Sequence, residues 1–434
     1  MSGAVAAHAA YNGSGTQGLA VTNKIDDDDG DVMSVFWNKN DTTRQLLYGS
    51  SIIEIPASGS GGNLTAGGNQ MFTVNNDIDA LGDLYLQITT SGGTGLELGA
   101  FDILSCIKRI EFMVGTQVWQ TLETSDIGAL NMTEMSEDSF ESFTLAMSGG
   151  FLKNGARNTV KATYSAGASA KLESTSSGDV TGVLRIPMLS RSVGTKLSKF
   201  TDISENSYIL AGAPHQTVKI RVYMTQTLPG SMKVTASGKT PVTGFQLKLF
   251  GQCLVMCNEE REQIKAMPMG IPKRLKMTQN TTLKVAAAAA GSQPQTISLD
   301  LDHFSLFASH IILYVTGKGS ITNSSIKSAE LKLNSSSFSG TLDGPLLTGP
   351  AADAMGLYSN GFFIDTVNIT DNFYIFPLAS RAYGGSSVPL NRFDNIRMEL
   401  SVISAGTGDL TVSATCVGET TALYKGGAAS LAMY

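Results

Sequence analysis

The residues that could do chemistry in this sequence are few, and they do not combine into a catalytic set. Asp302 and His303 are adjacent, as a general base and its orienting carboxylate could be, but no nucleophile can be assigned to them. A histidine at a strand end, hydrogen-bonded locally, is the better interpretation. The sequence has neither a GxSxG nucleophile elbow nor an HExxH zinc motif. We therefore expect no catalytic residues and predict that the protein is not an enzyme.

The cysteines and histidines form a poor set of metal ligands. Cys253 and Cys257 are four residues apart, which fits neither a CxxC redox pair nor a zinc knuckle, and strand spacing favours two buried core thiols. Four cysteines are too few for a disulfide scaffold, so all are expected as free thiols. The glycine-rich segments 59–62 and 91–95 lack the GK[ST] ending of a phosphate-binding loop. We expect no metal site and no other cofactor.

The composition favours a β-sheet protein with many turns. Of 434 residues, 42% are hydrophobic, only 16% are charged and 46 are glycine, while serine and threonine are abundant. The formal net charge of −6 argues against neutralising a phosphate backbone, so direct nucleic-acid binding is not expected. The first residues lack the features of a signal peptide, and no apolar run reaches membrane-spanning length, which predicts synthesis in a reducing compartment.

Short apolar runs that alternate with polar residues and end in turn formers predict strands from about residue 50 onward. The predicted strands cover residues 70–75, 83–89, 107–114, 183–188, 217–225, 245–249, 296–301, 311–316, 329–333, 373–376, 396–402 and 410–414. A hairpin is predicted at Gly115-Thr116. Helix signals are few: Ser136 could begin a short helix through Met147, and Asn258 could cap a helix over 259–266.

An internal repeat divides the chain into two similar halves. Residues 107–114 (IKRIEFMV) recur as 326–333 (IKSAELKL), and the Pro-x-x-Ser-Arg segment ending at Arg191 recurs ending at Arg381. An Ile-Arg pair at Ile220 recurs at Ile396, and an Asp-x-Asp precedes an apolar strand in both halves. Because the repeat includes Arg191 and Arg381, they are interpreted as fold elements that bind carbonyls or carboxylates between strands or subunits.

The repeat predicts three parts of the chain. Residues 1–45 are expected to form an N-terminal arm, residues 46–240 a first β-domain and residues 241–434 a second, each with about eight strands, the size of a jelly roll. The stretch 148–179 lengthens the first copy relative to the second and has little apolar content, so it is expected at the surface.

Six segments, in order along the chain, resemble the double jelly-roll major capsid proteins of large eukaryotic DNA viruses (the nucleocytoplasmic large DNA virus type) and of their virophage and Polinton-like relatives. They are 81–88 (LGDLYLQI), 255–264 (VMCNEEREQI), 301–304 (LDHF), 326–334 (IKSAELKLN), 390–398 (LNRFDNIRM) and 423–432 (LYKGGAASLA). The resemblance covers roughly residues 70–434.

The resemblance implies an all-β fold of two tandem eight-stranded jelly rolls with few short helices. It implies a capsid protein, located in the virion and assembled in the host cytoplasm, whose homotrimers form pseudo-hexameric blocks that tile an icosahedral shell. Its implied partners are itself, minor capsid and penton proteins, and an internal membrane beneath the shell. In that family the long loops form the outer surface, which places the 148–179 stretch outside.

Two alternatives remain open from the residues. One is a carbohydrate-binding, lectin-like jelly roll, which should show clustered aromatic residues and carboxylates on one concave sheet. Only Trp37 and Trp119 are tryptophans, and Phe36 is the single aromatic neighbour at strand spacing, so this alternative has little support. The other is a minor capsid protein, against which the repeat argues.

Overall fold

The computed structural model describes most of the chain from residue 48 onward. The described residues are 48–59, 63–75, 78–93, 97–98, 102–136, 151–152, 159–163, 171–175, 179–188, 208–229, 232–233, 240–256, 261–262, 271–286, 294–317, 325–358, 373–382, 387–403 and 410–432. The predicted N-terminal arm therefore lies outside them.

The strands fall into two sets along the chain. The first unit, within residues 48–256, contains β1 (Tyr48–Ile55), β2 (Ala57–Ser58), β3 (Asn69–Thr73), β4 (Ala80–Ser91), β5 (Glu97–Leu98), β6 (Ile107–Val114), β7 (Gln117–Glu123), β8 (Phe151–Leu152), β9 (Thr159–Thr163), β10 (Lys171–Thr175), β11 (Val180–Ile186), β12 (Tyr208–Ile209), β13 (Val218–Met224) and β14 (Gly244–Met256). The second unit, within residues 271–432, contains β15 (Ile271–Val285), β16 (Gln295–Asp300), β17 (Phe307–Gly317), β18 (Ser325–Leu333), β19 (Ser336–Ser337), β20 (Leu342–Asp343), β21 (Phe373–Pro377), β22 (Val388–Pro389), β23 (Ile396–Ile403), β24 (Leu410–Lys425) and β25 (Ala428–Ala432).

Helices are few and short in the described chain. They are α1 (Asp102–Ser105), α2 (Thr124–Glu134) and α3 (Gly349–Ala354), with 3-10 turns at Gly344–Leu347 and Leu390–Arg392. Helix α2 was not predicted from the sequence. The helix predicted to begin at Ser136 lies outside the described residues beyond Ser136 itself, and of the helix predicted over 259–266 only Arg261 and Glu262 are described, both helical.

Each unit is a sandwich of two antiparallel sheets with the same strand order. In the first unit a front sheet runs β1-β14-β4-β11 and a back sheet runs β3-β13-β6-β7. In the second unit the front sheet runs β15-β24-β17-β21 and the back sheet runs β16-β23-β18-β19. Counted along eight main strands, both units have the orders 1-8-3-6 and 2-7-4-5, which is the jelly-roll connection. The predicted all-β fold with two eight-stranded jelly rolls is confirmed.

The repeated sequence segments occupy equivalent strands. The two copies that begin at Ile107 and Ile326 form β6 and β18, the fourth main strand of each unit, and the two Ile-Arg pairs lie in β13 and β23, the seventh. Each predicted strand overlaps a strand of the structure, and the hairpin at Gly115 joins β6 to β7. Gly115 has a φ of +62°, a conformation that favours glycine in such a two-residue turn.

The core of each unit lies between its sheets. Alternation puts every second side chain inside; in β13, Val218, Ile220, Val222 and Met224 are buried while the residues between them are half-exposed. No described helix is long and apolar enough to cross a membrane.

Strand β14 bears on where the first unit ends. Its residues 249–256 pair with the whole of β1, and its residues 244–254 pair with β4, so residues 244–256 belong to the first front sheet. We therefore propose a boundary within residues 257–270 in place of the predicted 240/241. In the predicted surface stretch, β9 and β10 form a three-stranded sheet with β5, so this part is not purely irregular.

Candidate functional site

The adjacent Asp302 and His303 do not form a base and its orienting carboxylate in this structure. Asp302 Oδ1 accepts a hydrogen bond of 2.6 Å from the backbone N–H of Ile396. Nε2 of His303 lies 3.1 Å from the backbone carbonyl of Asn280, and its ring packs edge-on against Phe304 at 4.6 Å. Both residues hold loops of the second unit in place.

Three of the cysteines are free, buried thiols. They are Cys106, Cys253 and Cys416, whereas Cys257 lies outside the described residues. Burial raises the pKa of all three, that of Cys253 to about 11. A thiol with a raised pKa is a poor nucleophile and a poor metal ligand at neutral pH.

Within the described ranges no group of three or more His, Cys, Asp or Glu side chains could hold a metal ion. Arg381 is exposed, and Arg191 lies outside these ranges, so their predicted role between strands or subunits stays a prediction. Trp119 is 7% exposed and packs against Tyr208, so it offers no open platform for a sugar ring.

The polar residues that the fold does gather lie between the two units. Helix α2 follows β7 of the first unit, and its first turn is closed by a capping box in which Asp126 Oδ2 accepts the backbone N–H of Glu123 at 2.9 Å. Asp126, Asn131 and Glu134 on this helix are all fully buried. Buried polar groups need partners, and here many of them come from the other unit.

Two residues of the first unit bind the outer face of the second front sheet. Gln120 Nε2, on β7, donates to Oγ1 of Thr278 on β15 at 3.1 Å. Asp126 accepts from Asn280 Nδ2 at 2.7 Å and from Thr415 Oγ1, on β24, at 2.6 Å. Burial raises the pKa of Asp126 to about 6, although these hydrogen bonds oppose the shift.

Next to these contacts lies a buried ionic cluster of two cations and two anions. Nζ of Lys276, on β15, is 2.8 Å from Glu134 Oε1, and Arg185 Nη1 is 3.5 Å from Glu134 Oε2. Arg185 Nε also donates to Asp83 Oδ2 at 3.0 Å. Burial lowers the pKa of Lys276. Burial also acts to lower the pKa of Arg185, but the negative charges of Asp83 and Glu134 outweigh it, so the pKa of Arg185 is raised. Each charge thus has a counter-charge, the condition for burying ions.

An aromatic contact continues the interface. The ring of Tyr208 in the first unit meets that of Tyr424 in the second edge-on, with centroids 5.5 Å apart. The Tyr424 hydroxyl accepts the backbone N–H of Ile209 at 3.2 Å. Nearby, Gln216 Oε1 accepts the N–H of Ala429 at 2.7 Å. These contacts fix the C-terminal strands of the second unit to the first.

The chain before the second unit is tied back to the first by Arg261. Its Nε and Nη2 donate to Asp79 Oδ1 and Oδ2 at 2.6 and 2.8 Å, a two-pronged ion pair. Sequence reasoning did not find this interface. Its one signal is the polar alternation of Lys276, Thr278 and Asn280 along β15, and a solvated strand face shows the same pattern.

Comparison with known proteins identifies the fold. No family model and no curated protein sequence matches the chain. Among solved structures, a quasi-atomic model of the PBCV-1 virus capsid matches with a TM-score of 0.66 at 12% identity, covering 92% of this chain and 100% of that chain. The Faustovirus major capsid protein matches with a TM-score of 0.58 at 7% identity, covering 98% and 97%. The Sputnik virophage structure matches with a TM-score of 0.52 at 12% identity, covering 89% and 88%.

These matches run through both units and leave little of either chain uncovered. At 7–12% identity these matches show the fold. The expected resemblance is thereby supported at the level of architecture: the chain has the double jelly-roll fold found in the Faustovirus major capsid protein.

Proposed function

We propose that this protein is a viral major capsid protein, a non-enzymatic subunit that works by self-association. The observation that carries the proposal is that both jelly rolls, which have the same strand order, match capsid structures over 92% to 98% of this chain. The interface between the units supports it, because the buried Lys276–Glu134 ion pair and the hydrogen bonds of Asp126 to the second unit link the two jelly rolls. Shell building requires a subunit of fixed shape.

The assembled form proposed is a homotrimer. A chain with two similar units must occur three times to give a ring of six, and head-to-tail contacts commonly close into rings. Such trimers would tile an icosahedral shell together with minor capsid and penton proteins, with the 148–179 stretch facing outward. The proposed location is the virion, with assembly in the host cytoplasm over an internal membrane.

Light scattering after size exclusion tests the proposal. The expected mass is about three times the 45.7 kDa monomer, and negative-stain images should show three-fold blocks of hexagonal outline. A strictly monomeric species at micromolar concentration contradicts it.

A further inference from the structure

The two front sheets can be compared residue by residue, because both carry a β-bulge at the same place. Followed along β4, the pairing with β14 shifts register directly after the pair Leu81–Cys253. Followed along β17, the pairing with β24 shifts register directly after the pair Ala308–Gly418. In both units the third main strand carries the extra residue. Aligning these two pairs sets the register of the neighbouring strands as well.

The alignment gives equivalent positions on the outer faces of the two sheets. Ile52 of β1, which pairs with Gln252, corresponds to Thr278 of β15, which pairs with Val417. Two residues further along β1, the cross-strand pair Glu54–Phe250 corresponds to Asn280–Thr415.

Among the described residues, only the second of these faces is covered by another part of the chain. Thr278 is 6% exposed and Thr415 is fully buried, because Gln120 and Asp126 of the first unit lie on them. Ile52, by contrast, is 63% exposed, and the side chain of Glu54 is 53% exposed.

The residues that cover the second face also have equivalents. In the first unit Gln120 pairs with Phe112 of β6. The repeat counterpart of Phe112 is Leu331 of β18. The backbone N–H of Phe338 donates to the Leu331 carbonyl at 2.9 Å, so Phe338 lies opposite Leu331. Phe338 therefore takes the place of Gln120.

The position of Asp126 is found from the helix starts. In the first unit Glu123 precedes α2 and pairs with Arg109 of β6. In the second unit Asp343 precedes the 3-10 turn Gly344–Leu347 and pairs with Ser328 of β18. Ser328 is the repeat counterpart of Arg109, so Glu123 and Asp343 are equivalent. Three residues beyond each cap lie Asp126 and Leu346.

These equivalents are apolar and exposed. Phe338 is 41% exposed and Leu346 is 51% exposed. Together with Ile52 they make up three of the five exposed large hydrophobic side chains in the described part of the chain. Within one chain a polar pair of surfaces is already in contact. The equivalent surfaces carry Phe338 and Leu346 on one side, and Ile52 and Phe250 beside the charged Glu54 on the other. Exposed apolar side chains at the positions equivalent to an existing contact point to a second contact of the same kind.

We propose that Phe338 and Leu346 of one copy pack against Ile52 and Phe250 of the next copy. This contact repeats between chains the contact that Gln120 and Asp126 make within the chain. It rests on the proposed function, since it requires self-association, and it names the surfaces that do it. The contact joins two different faces, so it is a head-to-tail contact, the type that forms a ring when the rotation between copies closes.

The first test is disruption. Ile52→Glu and Phe338→Glu each place a charge in the proposed contact, and we expect the dissociation constant for self-association to rise on the order of tenfold or more. Val118→Glu is the matched control, since Val118 is 49% exposed on β7 and lies outside the proposed contact. It should associate like the wild type. Circular dichroism melts establish that all three variants fold.

The second test is cross-linking. The double variant Ile52→Cys, Phe338→Cys, oxidised with copper phenanthroline, should give covalently linked multimers on a non-reducing gel, and each single variant should remain monomeric there. Wild type that associates, combined with undisturbed Ile52→Glu and no cross-linking, overturns this contact and leaves the proposed function standing. Equal disruption by Val118→Glu also overturns it. Monomeric wild type overturns both proposals.

Discussion

The ammonium group of Lys276, on the first strand of the second unit, lies 2.8 Å from Oε1 and 3.1 Å from Oε2 of Glu134, in helix α2 of the first unit. Both side chains are fully buried. A lysine in such a place is held charged by its counter-ion against the cost of leaving water. The two jelly rolls of one chain are therefore linked by a contact that tolerates little displacement.

Removing the cation should destabilise the protein strongly. We expect Lys276→Met to lower the free energy of unfolding by about 3 kcal/mol, because Glu134 loses its nearest counter-charge inside the protein. Urea denaturation followed by tryptophan fluorescence measures this. The double variant Lys276→Met, Glu134→Gln should lose less than the two single variants combined.

The matched control for this prediction is Lys332→Met. Lys332 makes an equally short ion pair, 2.7 Å from Glu399, but on a partly exposed surface. Its loss should leave the unfolding free energy nearly unchanged, since solvent screens exposed pairs. Equal effects of the two lysine variants would show that burial does not decide the strength of the Lys276 contact.

The two tyrosines at the interface should respond differently to loss of the hydroxyl. Tyr424→Phe removes the acceptor of the Ile209 N–H and should cost about 1 to 2 kcal/mol, because a buried donor is left unpaired. Tyr208→Phe should be neutral or slightly stabilising, since the Tyr208 hydroxyl is buried without a hydrogen-bonding partner among the described residues. Thermal unfolding of the two variants compares them, and the reverse order would refute the assignment.

Asp126 should make stability depend on pH in a direction unusual for a carboxyl group. Its pKa is about 6 in the folded protein against an ordinary 3.8, so the folded state binds the proton more tightly. The stability that Asp126 contributes is therefore greatest below about pH 4 and falls as the pH rises through about 6.

The comparison of wild type with Asp126→Asn isolates this effect. The difference in unfolding free energy, wild type minus variant, should decrease by about 2 to 3 kcal/mol between about pH 4 and about pH 7. The pKa of His310 is lowered to about 3 by burial and by Lys276, but this histidine is present in both proteins, so its contribution cancels. A difference that is flat over this range would show an unshifted Asp126.

All four cysteines should be free thiols, and the three that the structure describes should be slow to react. Cys106, Cys253 and Cys416 are buried thiols, so Ellman's reagent should label them only after denaturation. Intact mass after alkylation in denaturant, with and without prior reduction, should be the same. A deficit of two alkyl groups without reduction would reveal a disulfide.

The sequence by itself determined twelve of the strands, the repeat and the fold class, although it missed the main strands β1 and β15. Residues 107–114 and 326–333 are similar in sequence, and they form the equivalent strands β6 and β18. Each of these strands pairs with the seventh main strand of its unit, β13 or β23. This succeeds because the alternation of apolar and polar residues is a local property of a strand, and turn residues bound it on either side.

Only the tertiary structure decided the interface between the units and the pairing partners of strand β14. Asp126 and Glu134 have the residue types of a solvated helix surface, yet their partners Asn280, Thr415 and Lys276 come from strands more than a hundred residues later. Strand β14 likewise belongs to the first unit because it pairs with β1 and β4. A hydrogen bond between distant segments does not change the alternation of apolar and polar residues in either segment. That alternation predicts each strand, but it does not identify the residues that pack on the strand's outer face.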